Sequence, residues 1–127
     1  MKSGDREAIR QVIEEAYIRG IHETQDEELV RSGFHPDFAM LVQQEGQMVK
    51  VGLDEWFVRI EELKQQSPEL WAAGAVPEFH IIDGAGNAAA VKLDVFRGET
   101  HFSTDYMLLY KFEEGWKIVS KVFSIPG

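Results

Sequence analysis

The sequence contains no cysteine among its 127 residues. It therefore has no disulfide, thiolate metal ligand or cysteine nucleophile, and a reducing compartment, the cytoplasm, is the expected location. Basic residues are also few, since 13 Lys and Arg stand against 22 Asp and Glu, a formal net charge of -9. Nucleic acids and anionic membranes bind concentrated basic surfaces. We therefore expect neither as a partner.

Long apolar runs are missing as well. The first fifteen residues carry four carboxylates and no apolar segment, so we expect neither a signal peptide nor a membrane span. Hydrophobic residues nevertheless form 44% of the chain, enough for a buried core at this length. We expect a single domain over residues 1–127.

Helical spacing dominates the first half of the chain. Apolar residues three and four apart predict an amphipathic helix over 5–22. The run Thr24-Gln25-Asp26-Glu27 matches a capping box and predicts a short helix that ends near Gly33. A third helix begins at Leu53 and is closed by Ser67-Pro68, because the residue before a proline avoids the helical region.

Strand patterns occupy the rest. A β-hairpin is expected with Phe38–Val42 and Met48–Val51 as its strands. Four longer antiparallel strands are expected near 76–83, 87–97, 100–112 and 116–124, separated by turns that contain glycine. Helices before an antiparallel meander indicate an α+β fold with three N-terminal helices packed on one face of the sheet.

Alternation along the strands predicts two different sheet faces. The face expected under the helices carries Phe79, Ile81, Ala89, Val91, Leu93, Val95, Phe102, Thr104, Tyr106, Leu108, Tyr110, Phe112, Trp116, Ile118, Ser120 and Val122. The opposite face is expected to carry Glu78, His80, Lys92, Asp94, Phe96, His101, Ser103, Asp105, Met107, Leu109, Lys117, Val119, Lys121 and Phe123.

The second face predicts a ladder of alternating charges. In this register Glu78, Lys92 and Asp105 oppose one another, and Lys121 lies diagonal to Asp105. The ladder is either structural or makes Asp94 or Asp105 a tuned acid or base. Because large apolar side chains lie beside these charges, we expect a homodimer through this face.

Several motifs are absent or out of context. The run Gly84-Ala85-Gly86-Asn87-Ala88-Ala89 matches G-x-G-x-x-A, but a strand follows it where a dinucleotide site needs a helix. The four histidines have no metal-ligand spacing, and no serine stands in a nucleophile motif. We expect no metal and no cofactor.

Aromatic residues with polar tips point to a pocket. Tyr17 on the first helix, Trp56 on the third helix and Tyr106 on the sheet are expected to face one interior, a lining that suits an apolar ring. Tyr17 is either a core residue or a pocket donor. His35 is either a solvated loop residue or an acid/base at the pocket mouth.

Three segments carry a family resemblance. The runs 103–109 and 115–123 resemble the C-terminal signature of the Putative lumazine-binding family, related to SnoaL-like proteins in the nuclear transport factor 2-like superfamily, and Phe34-His35-Pro36-Asp37 resembles its middle motif. The resemblance implies a cone of curved sheet around three helices, a pocket at the open end and a dimer through the sheets. Asp105 and Lys121 match the family pattern. Relatives include cyclases, isomerases, dehydratases and binding domains, so no single reaction is implied.

Ketosteroid isomerase chemistry is excluded residue by residue. That reaction needs a carboxylate base and an oxyanion hole of a tyrosine and a protonated acid. Tyr17 matches the tyrosine, but the base position holds Val42 and the acid position holds Leu108.

Three functions stay open. The first is a binding domain for a small apolar ring-containing ligand, with a pocket of Tyr17, His35, Met40, Trp56, Phe79, Tyr106, Leu108 and Val122. The second is a cyclase, isomerase or dehydratase whose catalytic candidates are Tyr17, His35, Asp94 and Asp105. The third is a dimeric interaction module without a ligand.

Overall fold

A computed structural model describes residues 1–126. The helices are α1 (Asp5–Val12), a π-helical segment that continues it (Ile13–Thr24), α2 (Glu27–Gly33), α3 (Leu53–Gln66) and α4 (Pro68–Ala72). The strands are β1 (Phe34–Gln44), β2 (Gln47–Val51), β3 (Val76–Ala85), β4 (Ala88–Arg97), β5 (Thr100–Phe112) and β6 (Gly115–Ser124).

The first helix changes its winding halfway along. After Val12 the backbone continues without a break, but its hydrogen bonds span five residues, and the last of them joins Gln25 N to Gly20 O at 2.7 Å. This winding places residues five apart side by side. The rings of Tyr17 and His22 accordingly meet at a centroid distance of 4.7 Å.

The caps of the later helices differ from the predicted ones. Asp26, and not Thr24, is the N-cap of α2, because its carboxylate accepts hydrogen bonds from the backbone of Glu28 and Leu29. Pro68 does end α3, but it also starts α4 in place of the expected loop. Proline is favoured at a first helical position because no hydrogen bond is needed from its nitrogen there.

Within residues 1–126, six strands form one sheet in the order β2-β1-β6-β5-β4-β3. The meander from β3 to β6 is antiparallel as predicted. The sheet as a whole is mixed, because β1 pairs in parallel with β6. Helices packed on this curved sheet confirm the α+β class. No helix within residues 1–126 has the length and apolar character needed to cross a membrane.

The predicted faces of β5 are reversed. The turn at Gly98-Glu99 is as expected, and Arg97 pairs with Thr100, but Val95 pairs with Ser103 because Phe102 is an extra residue in the ladder. Beyond this bulge every side chain of β5 changes face. Ser103, Asp105, Met107 and Leu109 are therefore buried, whereas Thr104 is half-buried and Tyr106, Leu108, Tyr110 and Phe112 are exposed.

Two further bulges change the predicted faces of β3 and β6. On β3 the register shifts between Phe79 and Ile81, so that Ile82 enters the core and Ile81 is exposed. On β6 it shifts between Ile118 and Ser120. Lys121 is consequently buried and Val122 exposed, the reverse of the prediction.

The predicted ion ladder does not form. Glu78 pairs with Asp94 and not with Lys92, and Lys92 pairs with Tyr106 and not with Asp105. Neither of the two predicted acid–lysine pairs is therefore present. Asp105 and Lys121 do meet on the diagonal, but inside the protein. One cause is the turn between β3 and β4, which lies at Gly86-Asn87, because Ala85 pairs with Ala88. The other is the extra residue in β5, which shifts the partner of Lys92 by one position.

Candidate functional site

A cavity of about 150 Å³ lies between the helices and the concave sheet face. The π-helical segment, α3 and α4 provide Tyr17, Ile21, His22, Trp56, Arg59, Ile60, Leu63 and Trp71. The strands and the C-terminal residues provide Met40, Val42, Phe102, Ser103, Lys121, Phe123 and Ile125. Leu63 and Ile125 are exposed and mark the mouth.

Aromatic rings form much of the cavity wall. Tyr17 lies 5.9 Å from Trp56 between ring centroids, and Trp71 lies 5.8 Å from Phe102. Arg59, near the mouth, is paired with Glu55 one helical turn earlier at 2.9 Å. The wall is thus apolar, and its charged groups lie at the two ends.

The inner end of the cavity holds a buried polar cluster. Tyr17 donates a hydrogen bond of 2.5 Å from its hydroxyl to Asp105 Oδ2. Burial, followed by the charge of Asp105, raises the pKa of Tyr17 well above its usual value, whereas Ser103 and the charge of Arg97 act in the opposite direction. Tyr17 is therefore a neutral phenol that donates its proton to a carboxylate.

Lys121 lies beside this pair in a cage of rings. Its Nζ is 3.8 Å from Asp105 Oδ1 and lies over the rings of Phe123, Trp56 and Tyr17 at 4.5, 4.8 and 5.0 Å. Burial lowers the pKa of Lys121, and Asp105 opposes that shift. Aromatic faces attract the ammonium and partly replace the water it has lost.

Arg97 fixes His22 at the opposite wall. The guanidinium donates to the carbonyls of Trp71, Gly74 and His22, and its NH2 group also lies 2.8 Å from His22 Nδ1. A guanidinium only donates, so Nδ1 accepts and the imidazole proton is on Nε2. Burial, then the charges of Arg97 and Lys121, lowers the pKa of His22 well below its usual value.

Four buried side-chain atoms within residues 1–126 make no hydrogen bond: His22 Nε2, Arg97 Nε, Ser103 Oγ and Asp105 Oδ1. His22 and Ser103 border the cavity. Buried polar groups in native proteins almost always have a partner. His22 Nε2 and Ser103 Oγ therefore present unpaired polar atoms beside the cavity.

A family comparison identifies the class of protein. The model of the family described as "Putative lumazine-binding" matches residues 4–124. The chain belongs to this family. The sequence prediction of the family is confirmed, and membership makes the chain a ligand-binding domain in the general sense.

Solved structures resemble this member of the Putative lumazine-binding family along its whole length. An NTF2-like protein of unknown function from Shewanella baltica OS155 has a TM-score of 0.78 and 23% identity, over 100% of this chain and 98% of that one. An NTF2-like protein of unknown function from Silicibacter pomeroyi DSS-3 has a TM-score of 0.74 and 16% identity, over 99% of this chain and 100% of that one. Another from Methylobacillus flagellatus KT has a TM-score of 0.73 and 20% identity, over 100% of this chain and 96% of that one.

These TM-scores establish the nuclear transport factor 2-like fold that the sequence led us to expect, and at such low identities they show the fold alone. No curated protein matches the chain.

The predicted pocket residues of this family member are only partly brought together. Tyr17, Met40 and Trp56 line the cavity. Tyr106, Leu108 and Val122 do not, because the bulges turn them to the outer sheet face, where 46%, 51% and 45% of their surfaces are exposed.

The two other predicted pocket residues lie elsewhere. Phe79 is half-buried below the Arg10 guanidinium. His35 packs on Phe112, 4.9 Å between ring centroids, and lines a separate depression. Neither borders the cavity.

The outer sheet face carries a histidine–carboxylate network. Asp94 Oδ2 is 2.7 Å from His80 Nε2, and Asp94 Oδ1 is 3.2 Å from His101 Nε2 and accepts from the Thr104 hydroxyl at 2.5 Å. The Thr104 hydrogen bond is the main cause that lowers the pKa of Asp94 to about 2.

This network includes a possible set of metal ligands. Ligand atoms of Glu78, His80 and Asp94 lie within 4.8 Å of one another and could hold a divalent cation, although we expected no metal from the sequence. The hydrogen bonds of Asp94 satisfy its carboxylate without one.

Twelve residues that line the cavity were not expected from the sequence, among them His22, Trp71, Phe102, Ser103 and Lys121. His22 was hidden because only π-helical winding places it beside Tyr17. Trp71 fell in an expected loop, and Phe102 was assigned to the core. Ser103 and Lys121 were placed on the outer face, which the bulges reverse.

Proposed function

We propose that this ligand-binding domain binds a small, largely apolar, ring-containing molecule in the cavity. The observation that carries the proposal is the enclosure of a space of about 150 Å³ by the rings of Tyr17, Trp56, Trp71, Phe102 and Phe123. Aromatic and aliphatic walls with a few polar groups at one end are typical of small-molecule sites.

The cavity also weighs against the two other functions. A ligand-free interaction module would be expected to fill its interior with side chains, as most cores do. An enzyme with His35 as the acid/base would need that residue near the ligand, and His35 lies in a separate depression. Tyr17 and Asp105 remain catalytic candidates, but each already holds the other in a hydrogen bond.

A cavity-blocking variant tests the proposal. Leu63 is 44% exposed at the mouth and Val58 is 58% exposed on the same helix away from it, so Leu63→Trp and Val58→Trp make the same kind of change. We expect single-ring compounds to raise the melting temperature of the wild type and of Val58→Trp, since a ligand that binds only the native state stabilises it. Leu63→Trp should lose this response.

Two outcomes would contradict binding in the cavity. In one, no single-ring compound, charged or neutral, raises the melting temperature. In the other, Leu63→Trp responds as strongly as Val58→Trp, which would place binding elsewhere on the molecule.

We also propose that the domain forms a homodimer through the outer sheet face. The residues that support this differ from those the sequence indicated. A row of large apolar side chains, Tyr106, Leu108, Tyr110 and Val122, is 45–51% exposed on neighbouring strands. Contiguous apolar surface of this kind is typical of protein interfaces.

Sedimentation of matched variants tests the dimer. Leu108→Glu places a charge in the row, and Val58→Glu places one at a similarly exposed apolar position on α3. We expect the mass of Leu108→Glu to halve and that of Val58→Glu to equal the wild type. A monomeric wild type, or a dimer that survives Leu108→Glu, would refute the interface.

A further inference from the structure

The Lys121 ammonium lacks a normal hydrogen bond. It is 5% exposed, it donates to Met40 Sδ over a long 3.8 Å, and it lies 3.8 Å from Asp105 Oδ1. An ammonium has three N–H donors, and ion-pair hydrogen bonds to carboxylates are normally about 2.7–2.9 Å. Lys121 therefore borders the cavity with donors that the protein does not satisfy.

Two neutral donors border the same cavity. The Ser103 hydroxyl is buried and has no hydrogen-bond partner. His22 Nε2 carries the imidazole proton, because Arg97 occupies Nδ1, and it too has no partner. The unmatched groups near the cavity are thus mostly donors, although the Ser103 hydroxyl can also accept and Asp105 Oδ1 only accepts.

The buried charges at this end do not balance. Arg97 and Lys121 are positive and Asp105 is negative, which leaves one positive charge in excess. His22 is neutral, and Glu23, which acts on Arg97, is exposed to solvent. An anion in the cavity would restore neutrality and satisfy the free donors together.

The volume limits the size of that anion. A cavity of about 150 Å³ accommodates one benzene ring in other proteins, and this cavity has the same volume. A ring that also carries a carboxylate is larger than benzene, so it would fill the cavity as far as the mouth at Leu63 and Ile125.

We propose that the ligand is a small ring carboxylate, whose anionic oxygen binds to Lys121 and Ser103 while its ring lies among the aromatic walls. This inference rests on the proposed function of the cavity. Asp105 repels such an anion, but its Oδ2 is engaged by the Tyr17 hydroxyl and Lys121 lies beside Oδ1. His22 supplies a further donor along the wall.

Benzoate and benzamide test the proposal, since they share size and shape and differ in charge. Calorimetric titration at constant ionic strength should give a dissociation constant at least tenfold lower for benzoate than for benzamide. Lys121→Met should abolish this preference, and Ser103→Ala should weaken the binding of benzoate several-fold. Lys50→Met, which makes the same charge change at an exposed residue of β2, should retain the preference.

The outcomes separate the inference from the function on which it rests. If benzamide binds as tightly as benzoate to the wild type, the anion site is refuted and the ring-binding function stands. If neither binds, both are refuted at this ligand size. Should Lys121→Met fail to fold, the wild-type comparison and Ser103→Ala still decide the question.

Discussion

The buried pair of Asp105 and Lys121 gives the sharpest prediction about stability. Asp105→Asn keeps the size of the side chain and an oxygen that can accept from Tyr17, but it removes the charge beside Lys121. Both residues of the pair are at most 6% exposed. The variant therefore leaves a buried ammonium without a counter-charge.

The expected loss follows from two limits. A charge pair 3.8 Å apart interacts with about 4 kcal/mol at an effective dielectric constant of about 20, before desolvation is subtracted. An unpaired lysine can also release its proton, which at pH 7 costs at most about 4.6 kcal/mol relative to an unfolded pKa of about 10.4. Since the variant also avoids burying a carboxylate, we expect a net loss of about 3 kcal/mol.

The pH dependence separates charge from packing. At pH 9 the cost of releasing the proton from Lys121 falls to about 2 kcal/mol. The difference in the free energy of unfolding between Asp105→Asn and the wild type should therefore shrink as the pH rises. Urea unfolding at pH 7 and pH 9 measures both values. Asp83→Asn, the same change at an exposed strand residue, is the control and should have little effect. A loss below about 1 kcal/mol at pH 7, or one that does not change with pH, would refute the reasoning.

Three further predictions concern single side chains. Tyr17→Phe leaves Asp105 Oδ2 without its donor and should lower the free energy of unfolding by about 2 kcal/mol in urea. Burial lowers the pKa of His22, so its NMR ring signals should not titrate between pH 8 and 5. The free energy of unfolding should fall below about pH 6.5, because only the unfolded state gains the proton there. An NMR titration midpoint of His22 near pH 6.5 would contradict this. Since Thr104 holds the pKa of Asp94 at about 2, Asp94 stabilises the protein above about pH 4 and loses that effect as the pH falls through 2. The free energies of unfolding of Asp94→Asn and the wild type should therefore differ at pH 5 and become nearly equal at pH 2.

The order of the elements was predictable because local patterns determine it. Apolar residues at helical spacing place a helix at the start of the chain, and strict alternation from Ala89 to Val95 defines β4 with one buried face. Glycine turns such as Gly98-Glu99 separate the strands where the structure has them separated. Each of these signals depends only on neighbouring residues.

The faces of β5 were not predictable from such signals. Tyr106 and Leu108 on one face are as apolar as Met107 and Leu109 on the other, so alternation does not say which face is buried. The register then depends on the turn alone, and the bulge at Phe102 shifts it by one residue. A shift of one residue reverses every side chain beyond it.

The cavity was predictable where residues follow ordinary helical or strand periodicity, as Tyr17 also does. Trp56 and Met40 follow ordinary periodicity and do line it. His22 lies five residues after Tyr17, which α-helical geometry would place on a different side of the helix. The π-helical winding brings the two together, and no composition signal in the sequence marks that change.

The buried charges are better explained by a ligand than by stability. Replacing a buried ion pair by apolar residues of similar size is often neutral or stabilising, and an ammonium without a close acceptor, like that of Lys121, is especially costly to bury. On stability alone, a well-packed apolar pair at positions 105 and 121 is expected to be no worse than the charged pair. The cavity wall instead holds Ser103 and His22 with unmatched donors, and Lys121 with only a long contact to Met40 Sδ. The empty protein is thereby less stable than its packing allows, and an anionic ring that satisfies these donors would recover that stability on binding.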